Sequence, residues 1–319
     1  MERSMGIKKS KGYDHLTNLG LKPGEIDMHM HSTASDGTDS PGQLALKARE
    51  AELTFFAITD HDTYDGCAEA EKALAEQKPS FGAGGEEKPL TFVRGIEFSC
   101  RDEYGKYHIL GYAFHKGAPE IRAIMKEGHE GRIAKTLGRI GYLKEKYNII
   151  ISEEEKAAIL ANRNPGKPHI GRLLVEKGYA PDINTAIRTY LNAYKDKIKY
   201  LEPERAIAAI LASGGIPVLA HPFYGDGSQQ LSEEEVLSRV DRMKGYGLQG
   251  LECYYSKHTG EETAFLLSVA EEKNLLISVG SDYHGENKNI RLGQTGLSGT
   301  ELHPLLISCL ETCREKMRE

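Results

Sequence analysis

The sequence predicts an α/β fold, a barrel of strand–helix units broken by a helical insertion, and three observations predict it. Seven short apolar runs recur, most of them closing on a polar cluster and then a helix-like pattern: "EIDMHMH", "TFFAITDHD", "LTFVRGIEFS", "KYHILGY", "IPVLAHP", "GLQGLECYY" and "LLISVGSDYHG". Alternation of that kind implies parallel strand–helix–strand units. Between residues 116 and 201 the pattern changes to continuous helical periodicity without a strand signal, which marks an insertion. The length of 319 residues exceeds a typical single domain, yet α/β barrels reach it as one unit.

Residues 1–24 show little periodicity and read as an N-terminal extension. The barrel is expected over 25–115 and 202–319, with 116–201 as a lid or side wall. Side chains two apart on a strand face the same way, so Asp27, His29 and His31 project to one side of the first run and Ile26, Met28 and Met30 to the other. The methionines then pack behind the strand while the histidines face a common cavity. Ser40 as N-cap and Pro41 at the first helical position open a helix through "GQLALKAREAEL". The segment "KPSFGAGGEEKP" at 78–89 reads as a Gly/Pro-rich loop. Helical periodicity runs through "APEIRAIMKEGHEGRIAKTLGRIGYLKEKY", "KPHIGRLLVEKGY" and "DINTAIRTYL" in the insertion. It resumes in "EPERAIAAILASGG", where Gly214 or Gly215 is a natural stop.

Hydrophobic content of 39% and charged content of 28% describe an ordinary soluble globular chain. No apolar run approaches the roughly 20 residues needed to cross a bilayer, and the first residues lack the apolar core of a signal peptide. A cytoplasmic protein with no membrane partner is the expectation. Five scattered cysteines argue against a disulfide framework and fit a reducing compartment. Cys309 and Cys313 have no second Cys or His pair nearby in sequence, so packing rather than zinc binding is expected of them. A net charge of -6 argues against non-specific nucleic-acid binding. Residues 116–205 nevertheless carry 18 Lys+Arg against 12 Asp+Glu, leaving 23 against 35 elsewhere. That segment is either a solvated helical surface or the part that receives an anionic substrate.

The candidate site begins with His29 and His31 and gathers residues from the other run ends: His61 in "TDHD", Glu97 in "GIEFS", His108 in "HILGY", His221 in "AHP", Asp282 and His284 in "GSDYHG". In a barrel the C-terminal strand ends converge on one face, where active sites sit. Imidazole and carboxylate without thiolate suit Mn²⁺, Zn²⁺ or Fe²⁺. So many ligands exceed the needs of one ion, and a carboxylate such as Glu97 can bridge two. Several ions held close together form a clamp for phosphoryl transfer.

These motifs, "DMHMHS" with "SDG", "TDHD", "GIEFS", "HILGY", "AHP" and "GSDYHG", resemble in order and identity those of the polymerase and histidinol phosphatase (PHP) phosphoesterases of the amidohydrolase-like superfamily. The nearest subgroup is that of the 3',5'-nucleoside bisphosphate phosphatases, related to 5'-to-3' exoribonucleases on short RNA. Asp36, five positions after the second motif histidine, and the insertion between "HILGY" and "AHP" match it. The resemblance implies a distorted (β/α)7-type barrel with two to three divalent ions. Carried over motif by motif, it implies His29, His31, Glu97 and Asp282 for one ion, Glu97, His108 and His221 for a second, and Asp36, His61 and His284 for a third. All nine positions are filled, which argues against a non-catalytic metal-binding module. Asp60 and Asp62 are then expected to orient neighbouring imidazoles.

The resemblance also implies substrate contacts. Arg132 in the insertion is expected to clamp phosphate and stabilise the reacting oxygens, the alternative being a surface charge. His169 and Arg172 match an insertion motif, although His169 can instead cap its helix. Lys197 and Tyr200 fall where related sequences read "GKPxY", but here the segment is "YKDKIKY" without Gly-Pro. Ser99 is expected to face the cavity or to help end its strand, and His258 in "YYSKHTG" to contact substrate or assist the leaving group, or to lie on the surface. The implied reaction is hydrolysis of nucleotide phosphomonoesters by a metal-bridged hydroxide, with Glu97 and Asp282 in the catalytic centre. The implied partner is a small phosphorylated substrate, with short oligonucleotides as a further option. Histidinol phosphatase and 5'-to-3' exoribonuclease are the alternatives.

Overall fold

Two features of the chain build the framework: short apolar strands that all enter one sheet, and a hairpin too tight for a crossover. The computed structural model describes residues 20–77, 90–162, 165–195 and 200–318. The loop predicted at 78–89, Lys197 and residues 1–19 lie outside the described residues. The strands β1 (Ile26–Asp27), β2 (Phe55–Ile58), β3 (Thr91–Asp102), β4 (Gly105–Tyr112), β5 (Ile216–Leu219), β6 (Gly250–Tyr255) and β7 (Leu276–Gly280) follow one another around a seven-stranded sheet.

Parallel pairing was expected throughout, and the structure corrects this in the middle of the sheet. β1, β2 and β3 pair in parallel, as do β5, β6 and β7, whereas β4 runs antiparallel to both neighbours. The reason is local. Asp102 pairs with Gly105 at the end of the β3–β4 ladder, leaving only a turn between the strands, and a parallel return needs a dozen or more residues. Asp102 Oδ1 accepts the N–H groups of Tyr104 (2.8 Å) and Gly105 (3.0 Å), and Gly105 takes a φ of 151° that suits glycine.

The sheet nearly closes where β7 meets β1. Met28 N–H donates to Val279 O (2.9 Å), and beyond the strand end His31 N–H donates to Tyr283 O (2.8 Å) while Asp282 N–H donates to His29 O (2.8 Å). Asp27 secures this seam, for its buried carboxylate accepts the N–H groups of Ser281 and Gly293, both at 2.9 Å. Burial pushes its pKa up to about 6.

Helices cover the outside. Ser40 and Gln43 form a reciprocal capping box at the start of α1 (Pro41–Glu50). α2 (Cys67–Ala75) follows β2, and the C-terminal half adds α7 (Pro203–Ala212), α8 (Glu233–Gly245), α9 (Gly260–Lys273) and α10 (Pro304–Lys316). Gly214, at a φ of 77°, ends the chain run after α7. Ile26 and Met28 pack with Val93, Ile96, Ile109, Val218, Leu251 and Ile277 in the main core, and Met30 packs with Leu44 and Phe56 beneath α1. All five cysteines are free and buried, and Cys309 and Cys313 lie in the main core.

Between β4 and β5 run α3 (Pro119–Tyr147), α4 (Glu153–Leu160), α5 (Lys167–Glu176) and α6 (Ile183–Ala186), the last continued by a π turn at Ile187–Leu191. α3 spans about 44 Å at the usual helical rise and joins two cores. Its first turns bury Ile121 and Ile124 in the barrel core, while Leu143 packs with Ile149, Ile159, Ile170, Leu174, Ala186 and Leu191 in a separate cluster. Arg205 on α7 grips Glu127 on α3 through two contacts of 2.7 and 2.6 Å. The expected consequence of Leu174→Ala is a loss of about 2–5 kcal/mol confined to this second core. Amide exchange should accelerate across 143–191 while β2, β5 and β7 keep their protection, and equal acceleration everywhere would contradict separate cores.

Candidate metal centre

Glu97 lies near the middle of β3, 1% exposed, and five imidazoles surround its carboxylate. His29 Nε2 (3.2 Å), His108 Nδ1 (2.9 Å) and His221 Nε2 (3.2 Å) approach Oε1, and His31 Nε2 (3.2 Å) and His61 Nδ1 (3.0 Å) approach Oε2. Asp282 Oδ1 stands 3.4 Å from His31 Nε2 and 3.3 Å from His284 Nδ1. Asp36 Oδ1 stands 3.3 Å from His284 Nε2 and 3.7 Å from His31 Nδ1, and its Oδ2 is 3.8 Å from His61 Nε2. All nine residues singled out in the sequence therefore meet in one cluster. His31, Asp36, His61 and His284 form one set of converging ligand atoms; His29, His31 and Glu97 form another; and His61, Glu97 and His108 a third.

Hydrogen bonding alone does not account for these distances. His29 Nδ1 donates to Glu252 Oε1 at 2.9 Å, while its Nε2 lies only 3.1 Å from His31 Nε2 and 3.2 Å from Glu97 Oε1. His284 Nδ1 donates likewise to Asp282 O (2.9 Å), which leaves its Nε2 lone pair facing a carboxylate oxygen of Asp36. Among the described residues Glu97 Oε2 is buried without a hydrogen-bond partner. Atoms about 2.1 Å from a shared ion lie roughly 3.0 to 3.4 Å apart, for octahedral and tetrahedral angles respectively. Most of the close donor spacings are of that size. The donor set, nitrogen and oxygen without sulfur, fits divalent Mn, Zn or Fe.

The charges of the cluster shift its groups in different directions. Burial disfavours the Glu97 carboxylate, but His108, His29 and His61 outweigh it and hold its pKa well below the usual range. Burial also opposes charge on His61, where Glu97 and Asp36 win and push the pKa up to about 9. On His31 burial is reinforced by His284 and His61, and its pKa falls well below the ordinary value. Two of the groups stand on strained backbone, His221 at a φ of 26° and Asp282 at 59°, in the left-handed region that costs a non-glycine residue free energy.

The surrounding side chains correct several expectations. Asp60 is engaged by serines: it accepts Ser32 N–H (2.8 Å), Ser32 Oγ–H (2.6 Å) and Ser35 Oγ–H (2.5 Å), and so fixes the loop carrying Asp36. Asp62 pairs instead with Arg132, whose Nε donates to Oδ2 at 2.9 Å, and accepts Ser99 N–H at 2.8 Å. The carboxylate that does orient an imidazole is Glu252 on β6, which sequence reasoning missed. It is fully buried, accepting His29 Nδ1–H with one oxygen and His221 N–H (2.7 Å) with the other. A lone glutamate inside the apolar run "GLECYY" was the available signal. Lys288 Nζ (2.6 Å) and Tyr255 OH (3.0 Å) both donate to Asp282 Oδ2, leaving Oδ1 turned to the cluster.

A cleft of about 470 Å³ opens between the cluster and the insertion. Asp36, His61 and His108 line its inner end, and Arg132, Lys135, Arg139, Lys167, His169 and Tyr200 its outer wall. Ser99 also lines it, with its Oγ 3.3 Å from an Arg132 nitrogen. His169 both faces the cleft and accepts Gly166 N–H at the start of α5 (3.3 Å). Arg172 is exposed and stands outside the lining. His258 is also outside it: its ring packs against Phe223, Tyr224 and Tyr255, and its Nδ1 donates to Cys253 O (3.0 Å).

A nearly closed seven-stranded barrel with such a cluster at its rim is the arrangement of the amidohydrolase-like metal-dependent hydrolases. Within that class the chain belongs to the PHP domain family, whose model matches residues 27–206, and it is a metal-dependent phosphoesterase. It is 31% identical to a 5'-3' exoribonuclease of Haemophilus influenzae over 273 residues, covering 85% of this chain and 93% of that protein. It is 28% identical to a 3',5'-nucleoside bisphosphate phosphatase of Chromobacterium violaceum over 272 residues, covering 83% and 89%. Its fold matches the crystal structure of a Bifidobacterium adolescentis protein described as a metal-dependent phosphoesterase with a TM-score of 0.72 at 27% identity, covering 92% and 95%.

Two outcomes are expected of substitutions here. Glu97→Ala and His221→Ala should each lose bound metal, read by elemental analysis, together with nearly all activity; a fully metallated, fully active variant of either would contradict the cluster. Glu252→Ala keeps every ligand but frees His29, and should weaken metal affinity about 10- to 100-fold. Unchanged affinity in a chelator competition would remove Glu252 from this role.

Proposed function

We propose that this phosphoesterase releases phosphate from nucleotide phosphomonoesters, either 3',5'-nucleoside bisphosphates or nucleoside monophosphates. The observation that carries this reading is the position of Arg132. The insertion delivers its guanidinium to Asp62 and Ser99 beside the cluster, so a phosphoryl group in the cleft meets the metal ligands on one side and a fixed cation on the other. The similarity to a nucleoside bisphosphate phosphatase and to an exoribonuclease supports a nucleotide as the rest of the substrate.

In this reading His29, His31, Glu97 and Asp282 hold one ion, Glu97, His108 and His221 a second, and Asp36, His61 and His284 a third, with Mn²⁺, Zn²⁺ or Fe²⁺ as the candidates. The short approach of His31 to the third group supports its sharing there. The ions, when bound, supply charge neutralisation and an activated water for phosphoester hydrolysis. The chain's own residues do the positioning. Glu97 sets the spacing of the imidazoles, Glu252 fixes the tautomer of His29, and Lys288 and Tyr255 aim Asp282. Arg132 holds the phosphoryl oxygens beside Ser99, while His169 and Tyr200 contact the remainder of the substrate. His258, packed behind Tyr255, supports the wall near His221 rather than reaching the leaving group, so water in the open cleft protonates it. We place the protein in the cytoplasm on the strength of its five buried free thiols and of the lack, among the described residues, of a helix long and apolar enough to cross a membrane.

The test is phosphate release by the Mn²⁺-loaded protein from 3',5'-bisphosphoadenosine, AMP, histidinol phosphate and a short 5'-phosphorylated RNA. A clear preference for the nucleotides over histidinol phosphate is expected. The reverse preference would leave the metal cluster in place and overturn the substrate.

A further inference from the structure

We propose that a second cavity, adjoining the metal centre at Lys288 but lined by none of the residues of the cleft, binds inorganic phosphate, and that the bound anion and the metal ions strengthen each other's binding. The site goes beyond the substrate reading above, since phosphate is the product whichever phosphomonoester is hydrolysed.

The cavity, of about 400 Å³, lies where the segment after β7 meets the loop before α1, joined there by Glu286 N–H donating to Thr38 Oγ (3.0 Å). Three cations from two parts of the chain line it: Lys47 on α1, and Lys288 and Arg291 on the segment after β7. Two carboxylates oppose them, but both oxygens of Asp39 are engaged, Oδ1 by Lys47 Nζ (2.5 Å) and Oδ2 by the Tyr283 hydroxyl (2.8 Å), and Glu286 is exposed. Arg291 gives its backbone N–H to Gln294 Oε1 (3.2 Å), and its guanidinium has no hydrogen-bond or ion-pair partner among the described residues. A free guanidinium beside two ammonium groups suits an oxyanion, which it can grip through two parallel bonds. Thr38, whose oxygen accepts Glu286 N–H, keeps its own proton to donate, and the Asn289 amide adds two more donors. Ile290 is the one aliphatic side chain in the lining, and Tyr283 is tied to Asp39, so little surface is offered to a nucleobase and the occupant is free phosphate.

Two bonds tie the wall of this cavity to the metal centre. Lys288 Nζ donates to Asp282 Oδ2 (2.6 Å), and Asn287 Nδ2 donates to Asp36 O (2.7 Å). Burial opposes the charge on Asp282, and Lys288 is the foremost of the charges that overcome it and hold its pKa below the ordinary value. The same ammonium therefore serves the carboxylate and lines the cavity. An anion in the cavity competes for it, while the Tyr255 hydroxyl keeps its hold on Asp282 Oδ2 (3.0 Å) and so keeps Oδ1 aimed. With less of its charge neutralised, Asp282 presents a more negative face to the cluster, and the anion's own charge adds to that field. Both effects favour cations there. Linkage makes the coupling reciprocal, so bound metal raises the affinity for phosphate by the same factor.

The experiment follows amide resonances of the full chain, stripped of metal with chelator, during titration with inorganic phosphate, with chloride at matched ionic strength as the control. The amides of Thr38, Gly285, Lys288 and Arg291 are expected to shift and saturate with phosphate alone, while those of Ser99 and Gly166 report the cleft separately. Arg291→Gln should abolish the first set of shifts and leave the second set, together with initial rates of p-nitrophenyl phosphate hydrolysis by the Mn²⁺-loaded protein, unchanged. Arg291→Lys keeps the charge and should retain most of the binding, and the spectra show directly that each variant is folded. Chelator competition then reads the coupling: phosphate should raise Mn²⁺ affinity at least about fivefold more in the parent than in Arg291→Gln. Shifts confined to the cleft amides, shifts that chloride reproduces, or an Arg291→Gln protein that binds phosphate as the parent does would overturn the site. AMP perturbing these amides at lower concentration than phosphate would overturn free phosphate as its occupant, and equal metal affinities in parent and variant would overturn the coupling.

Discussion

A buried carboxylate facing five imidazoles is an arrangement that water-soluble proteins seldom keep, because each of these groups would be better solvated outside. Glu97 holds that position, and much else in the structure is explicable as the framework that brings lone pairs together against their mutual repulsion. The barrel closes through Asp27, which ties the segment leading to His29 to the segment bearing Asp282. Glu252 fixes the far side of His29 and the backbone of His221 at once. His221 and Asp282 accept left-handed backbone to point inward. Such strain persists where packing over-determines the chain, and here it lies at the ends of strands that the main core holds rigid.

The insertion answers a different physical need. In the proposed function, discrimination among phosphates comes from the wall opposite the cluster. α3 forms part of that wall and is rooted in two cores, with its early turns in the barrel and its late turns in the insertion. That anchoring places Arg132 at the edge of the cluster and leaves Lys135 and Arg139 progressively further out along the same cleft. Part of the basic surplus of the insertion has a spatial meaning: Arg132, Lys135, Arg139 and Lys167 line the cleft beside the cluster.

How much of this was legible beforehand depended on the type of rule involved. Eight of the candidate ligands were readable because strand periodicity puts alternate residues on one face and barrel topology brings strand ends together, whereas Asp36, in a turn, came only from the motif resemblance. The antiparallel β4 was missed because an apolar run looks the same in either direction, and only the tight turn at Asp102–Gly105 decides it. Partners across space were the least legible. Asp60 and Asp62 sit beside His61 in sequence, yet one binds serines and the other Arg132. Glu252, more than 200 positions from His29, takes the role expected of them. His258 matched a motif by sequence, but its ring packs against Phe223, Tyr224 and Tyr255 and does not line the cleft.

The central claim, that Glu97 is the hub of more than one cation site, is tested most directly by anomalous diffraction from crystals of the Mn²⁺-loaded protein. The account predicts two or three separate peaks, each in contact with imidazole and carboxylate atoms of this cluster, and at least two of them sharing Glu97. A single peak that leaves Glu97 Oε2 without a metal contact, or peaks lying elsewhere on the chain, would contradict it.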